Sequence, residues 1–186
     1  MFDAFALFDL PRRPWLDAAD LREDFHRRSA SAHPDAGGDT DTFARLNTAY
    51  RTLHDPAARL RHFLELEAPE ALARPAQIPP ELTALFMQIG MHRNELGAFW
   101  KKEARASNPL TRALLVPEKM ELQANATRLA ATIAEYLSQT LDDVRKLGAI
   151  WMAEKPATPL AELLYALSFL GKWDHQLRED LLKLDL

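Results

Sequence analysis

Apolar residues recur at spacings of three and four along almost the whole of this 186-residue chain, and two-residue alternation is nearly absent. A half-buried strand needs that alternation, so the pattern predicts an all-α fold. Proline and glycine then set the breaks. The stretch Glu67–Pro80 holds Pro69, Pro75, Pro79 and Pro80. It cannot continue a helix and reads as a semi-rigid connector, residues 67–80, between domains at 1–66 and 81–186. Before it, short helices are predicted at roughly 3–9, 17–32, 40–53 and 57–66, with Asp17 and Asp39 as N-caps and Gly37-Gly38 reversing the chain. After it come three longer helices, at about 81–107, 117–154 and 159–184. Asn108-Pro109 is expected to end the first, Pro117 to sit in the first turn of the second, Lys155-Pro156 to end it, and Thr158-Pro159 to cap the third. A break near Asp142-Asp143 is expected, because an unbroken middle helix would outrun its partners. Short links between three helices imply an antiparallel bundle.

Composition excludes several classes of function. Hydrophobic residues make up 47% of the chain, enough for a core, and the net charge of −4 does not suit a nucleic-acid partner. There is no cysteine, so neither a disulfide framework nor thiolate ligation is available. Met1 leads into an amphipathic helix without a basic, apolar leader, and no apolar run reaches membrane-spanning length. A cytoplasmic protein with no membrane association is the expectation. No Gly-rich phosphate loop, HExxH, GxSxG or clustered metal-ligand pattern occurs, so no catalytic residue, metal or cofactor is expected and the chain is not expected to be an enzyme.

Two places concentrate interaction chemistry. His33-Pro34-Asp35 closes the helical segment Leu21–Ala32. Proline removes an N–H and pushes the residue before it toward extended dihedrals, which puts His33 at the helix end and an imidazole and a carboxylate on a stiff corner. Arg22, His26 and Arg27 lie along or beside the line leading to it. The second place is the helix at 81–107. Leu82, Leu85, Ile89, His92, Leu96 and Phe99 form its core stripe, on which His92 reads as a satisfied core histidine rather than a metal ligand. Phe86, Met87 and Met91, with Gly90 between them, lie to one side. On the last helix Leu160, Leu163, Leu167, Leu170, Leu177, Leu181 and Leu184 follow the seam while Phe169 falls off it. Off-seam apolar residues have two readings: a broader buried face, or an exposed patch where Met gives adaptable contact and Phe an anchor.

Phe5-Ala6-Leu7-Phe8-Asp9-Leu10-Pro11, Leu21 and Phe25, the His-Pro-Asp corner, then Phe43, Leu46, Ala49, Tyr50, Leu53, Asp55-Pro56 and Arg59 together resemble the J domain of DnaJ-class co-chaperones from about Phe2 to Leu66. Over its full length the chain resembles the HscB-type J co-chaperones of iron–sulfur cluster assembly. The carrying stretches there are Leu85-Phe86-Met87, Arg93-Asn94-Glu95-Leu96, Ser168-Phe169-Leu170-Gly171-Lys172 and Leu182-Lys183-Leu184-Asp185-Leu186. The resemblance implies a helical hairpin with short flanking helices, followed by the three-helix bundle. It implies that His33, Pro34, Asp35, Arg22, His26 and Arg27 meet a DnaK- or HscA-type chaperone and stimulate its ATPase. It implies further that Phe86, Met87, Gly90, Met91 and Phe169 bind a cluster scaffold protein of the IscU type. Without cysteines of its own, the chain would escort a cluster carrier rather than hold a cluster.

Several positions depart from the family pattern. Gly90 and Met91 stand where a larger apolar residue and an acidic one are more usual. Arg28 takes the place of an apolar residue facing the third helix, Ala32 that of an aromatic residue before the histidine, and Ala36 that of a lysine after the tripeptide. Losing both core residues is expected to thin the interhelical core by a few kilocalories per mole at most, roughly, with Arg28 laying its methylenes along Phe25. Two other readings stay open: a J-domain adaptor for a different client, and a J-like structural or interaction protein that does not stimulate a chaperone.

Overall fold

The computed structural model describes residues 2–32, 39–73 and 78–185. Helices and turns account for the regular structure, and no strand occurs among the described residues. Contacts divide the chain into two compact units, Met1–Ala76 with Leu141–Leu167, and Gln77–Thr140 with Ser168–Leu186.

In the first unit, α1 (Ala4–Leu7) is capped by Asp3, whose carboxylate accepts from the N–H groups of Phe5 (3.0 Å) and Ala6 (3.1 Å). Phe5 and Phe8 are fully buried. Asp17 starts α2 (Ala18–Ala32) by accepting from Ala19 N at 2.8 Å, and Asp39 starts α3 (Thr40–His54) by accepting from Thr42 N at 2.8 Å. These two helices form the hairpin: Leu21 is buried, and the half-buried Phe25 ring stacks on Tyr50 with centroids 4.0 Å apart. Asp55 caps α4 (Pro56–Glu67), and Pro56 occupies its first turn. Arg59 on α4 is buried and donates to the carbonyls of Leu53 (2.7 Å) and Pro14 (3.2 Å), joining α3, α4 and the loop between α1 and α2. Burial pulls its guanidinium pKa down, against the nearby Asp55. Arg12 bridges Asp3 and Glu67, and the N–H of Ala4 donates to His62 Nε2 at 3.0 Å.

The head of Arg28 is held by protein groups rather than left in water. Its guanidinium sits 5.7 Å from the Phe8 ring centroid and donates to Asp24 (2.8 Å), Asp9 (3.1 Å) and the Phe8 carbonyl (3.1 Å). The departure therefore supplies a polar clasp between α2 and the end of α1. Asp9 itself takes a left-handed conformation (φ 53°), which aspartate tolerates better than most residues.

The same unit holds the end of α7 (Val116–Ala149), α8 (Trp151–Glu154) and the start of α9 (Ala157–Asp185). The Phe63 ring meets Trp151 edge-on at 4.8 Å, and Arg145 lies over Trp15 at 4.9 Å. A Cβ at Gly148 would stand 2.8 Å from the buried Pro14 ring, so only glycine admits this approach. The expected break at Asp142-Asp143 is absent. Both carboxylates are exposed, Lys146 pairs with Asp143 at 2.7 Å one turn on, and the helix runs to Ala149 before interrupting at Ile150. Helix α8 then stops at Lys155 in a left-handed cap (φ 45°).

The second unit is a three-helix bundle of α5 (Thr83–Glu103), most of α7 and the rest of α9. Leu96 and Phe99 near the end of α5 cluster with Leu122 near the start of α7 and Leu184 near the end of α9. Helix α7 therefore runs against the other two. The predicted α5 stripe is buried throughout, His92 included. On α9 the seam passes through Leu164 and Trp173, while Leu163 and Leu181 are only half-buried. Helix α5 ends at Glu103 rather than 107. Asn108-Pro109 begins a further short helix, α6 (Pro109–Ala113), held by a reciprocal Asn108–Thr111 capping box. Around residues 67–80, 3₁₀ turns occupy Pro69–Ala73 and Pro80–Leu82.

Candidate functional site

Along α2, Arg22, His26 and Arg27 are exposed, as a protein-facing surface requires. Arg27 is ion-paired with Asp24 one turn back, and Asp24 also accepts from Arg28, so one carboxylate neutralises part of this basic stretch. The ring of His26 leans on Phe25 at 5.8 Å. His33, Pro34, Asp35 and Ala36 lie outside the described residues.

In the second unit, the off-seam residues of α5 face outward. Phe86 is 43% exposed, Met87 and Met91 more so, and Gly90 is exposed with open space where a Cβ would stand. Phe169 on α9 is half-buried. What unites them is Trp173, only 5% exposed, whose ring lies 5.9 Å from that of Phe86 and 6.0 Å from that of Phe169. The indole forms a floor between α5 and α9, and the two phenylalanines lean on it from either side. This brings Phe86 and Phe169 together where α5 meets α9, with Met87 and Gly90 exposed farther round α5, while Met91 lies on the other side of that helix, toward α7. Trp173 was not among the residues singled out by the sequence. Its signal was its place four residues after Phe169, on the same helix face.

Between α5 and α7, Met91 borders a separate polar recess of about 380 Å³ lined by Gln88, His92, Glu95, Asn125, Arg128 and Thr132 among others. The side chain of His92 is wholly buried. Arg128 donates to the amide oxygen of Asn125, which orients the amide nitrogen toward His92 Nδ1 at 3.3 Å. That contact makes Nδ1 the acceptor and leaves the proton on Nε2, which has no hydrogen-bond partner among the described residues. Burial lowers the His92 pKa from its ordinary value, outweighing Asp180 and Glu95, so the ring is a neutral core group. No cluster of three or more His, Cys, Asp or Glu that could hold a metal occurs among the described residues. Among those residues, no helix is long and apolar enough to cross a membrane.

No family model matches the chain. Across 153 aligned residues it is 31% identical to a co-chaperone protein HscB homolog of Paraburkholderia phymatum, covering 77% of this chain and 85% of that protein. It is 26% identical over 193 aligned positions to the HscB homolog of Aromatoleum aromaticum, covering 96% and 93% of the two chains. Its fold is similar to that of chaperone HscB from Vibrio cholerae, with a TM-score of 0.60 at 20% identity over 95% of this chain and 96% of that one. With the J-type hairpin in one unit and the three-helix bundle in the other, the chain belongs to the HscB co-chaperone family.

Proposed function

We propose that this protein is a J-type co-chaperone of iron–sulfur cluster assembly in the cytoplasm, itself no enzyme. It stimulates ATP hydrolysis by a DnaK- or HscA-type chaperone and delivers an IscU-type scaffold protein to it. The observation that carries this reading is the apolar face built by Phe86 and Phe169 on Trp173, with Met87 exposed next to Phe86 on the same helix. An exposed apolar face of this kind on a soluble helix bundle is what a protein client needs, and two aromatic anchors around a buried floor are the usual make-up of a binding hot spot. Membership of the HscB family supports the choice of client. The exposed Arg22, His26 and Arg27 support α2 as the chaperone-facing side, with His33, Pro34 and Asp35 completing it.

The two activities separate experimentally. Steady-state ATP turnover of the cognate DnaK- or HscA-type chaperone should rise on adding the protein, and His33→Gln should abolish the rise while leaving scaffold binding unchanged. No rise with the unaltered protein, or an equal rise with His33→Gln, overturns the chaperone half of the proposal.

A further inference from the structure

A second exposed apolar surface lies elsewhere on the bundle. Leu110 on α6 and Leu114 at its C-cap are 73% and 72% exposed, and Val116 and Met120 at the start of α7 are 50% and 63% exposed. Each pair is spaced i, i+4, so each forms a short row on its helix. Between the rows, Leu115 turns inward and packs against the core cluster of Leu96, Phe99, Leu122 and Leu184. The outward set is therefore fixed by Leu115, not left over from a loose end. Together the four side chains present an area on the order of 400 Å², the range in which a patch on a monomer is commonly functional.

Side-chain bonds brace the stretch, and cations outnumber carboxylates along it. Asn108 and Thr111 cap α6 reciprocally, Arg112 Nε donates to the Ala106 carbonyl at 3.4 Å, and Lys102 binds Glu118 at 2.7 and 3.0 Å, clamping the end of α5 to the start of α7. Lys101, Arg105 and Arg112 are exposed and Lys119 half-exposed, and none of the four is in an ion pair among the described residues. Against them stand two carboxylates, Glu103 and Glu121, likewise unpaired among the described residues, so the stretch carries a basic excess on a chain whose net charge is −4. At 1.5 Å per residue, Arg105 lies nearly 30 Å along the helix direction from Phe86, roughly, so this is not the Trp173 face.

We propose that α6 and the first turns of α7 form a second docking surface, and that its occupant is an acidic amphipathic helix of a partner protein. Leucine-type side chains of that helix would cover Leu110, Leu114, Val116 and Met120, and its carboxylates would meet Arg105, Arg112 and Lys119. Charge decides among occupants. A second copy of this chain would set two basic stretches against each other, and α6, at five residues, offers too short a face to lie in a lipid surface. Because the surface is already ordered, binding costs little conformational entropy on this side.

The test uses the full chain and two fluorescein-labelled amphipathic helical peptides that share one leucine stripe, with glutamates flanking it in one and lysines in the other. Anisotropy should show the acidic peptide binding about tenfold or more tightly than the basic one, with affinity falling as salt rises. Leu110→Ala with Leu114→Ala, and separately Arg112→Glu with Lys119→Glu, should each weaken binding about tenfold or more, because the altered side chains are exposed and the circular dichroism melt should be unmoved. Phe86→Ala with Phe169→Ala should leave this affinity unchanged, which keeps the result independent of the client face. Equal binding of the two peptides, no binding of the acidic one, or binding that survives both double variants overturns the proposal. So does self-association abolished by the leucine variant, or tighter binding to phosphatidylglycerol vesicles than to the acidic peptide.

Discussion

A short helix leaves its last carbonyls without partners, and α1 ends where α2 can supply a cation to them. Arg28 does so, donating to the Phe8 carbonyl while its plane rests by the Phe8 ring, and Asp24 and Asp9 hold it in place. Arg28→Met keeps the aliphatic stem and removes these donors. It should lower stability by about 1–3 kcal/mol, read as a shift in the urea midpoint with an unchanged slope. An unmoved midpoint would mean the clasp contributes nothing. His92 makes the second prediction at this scale. Burial lowers its pKa in the folded state below the ordinary 6.5, so the unfolded chain takes up a proton first as pH falls. The stabilisation is fully present above pH 6.5 and is lost as pH drops below that value toward the lowered folded one. The melting temperature of the unaltered protein should therefore fall between pH 7.5 and 5.5 more steeply than that of His92→Gln, and parallel acid limbs would count against this origin. The core place of His92 was legible from its position in the stripe. The role of Arg28 was not, because periodicity ranks a residue by face and cannot say which neighbouring helix end offers it acceptors.

At the scale of the element, helix positions follow from short-range signals. Asp17, Asp39 and Asp55-Pro56 start helices where capping chemistry says they should. Two signals misled. Asn108-Pro109 stops one helix and starts another with equal chemical ease, and here the Asn108 side chain binds Thr111, so it starts one. Asp142-Asp143 weakens a helix only if nothing answers the charges, and Lys146 answers. The pairing of α5 with α9 through Trp173 was invisible locally, since a tryptophan between leucines reads the same whether it fills a core or floors a surface. The proposed client face predicts that Phe86→Ala with Phe169→Ala weakens scaffold binding by about 2–4 kcal/mol while far-ultraviolet circular dichroism stays that of a folded helical protein. Unchanged affinity by calorimetry would remove both rings from the interface. Trp173 gives a reporter for the same experiment: its emission should shift on binding in the unaltered protein, because the rings on either side of it become covered.

For the molecule as a whole, the long-range contacts of unit one matter most. Residues 141–167 return to pack with Met1–Ala76, through Phe63 and Trp151, Arg145 and Trp15, and Gly148 against Pro14. No local signal carries a return of this kind, because the paired residues stand far apart in the sequence. A chain ending at residue 76 would leave Phe63 and Pro14 without these partners. It should melt at a lower temperature than the same residues within the full chain and bind a hydrophobic dye such as ANS more strongly. Equal melting of the fragment and of that unit in the full protein would show the returning segment to be dispensable.

The bare Cα of Gly148 against the Pro14 ring has a consequence for grafting. Exchanging residues 1–76 for the J domain of another co-chaperone imports a different loop between α1 and α2, and any side chain at its Pro14 position must fit a hollow shaped for one proline. Such chimeras should assemble well only when the donor loop also carries proline there, or when the donor's own returning segment replaces residues 141–167. The unit of exchange in this protein is thus discontinuous in sequence: a head and a distant strap that have to be inherited together.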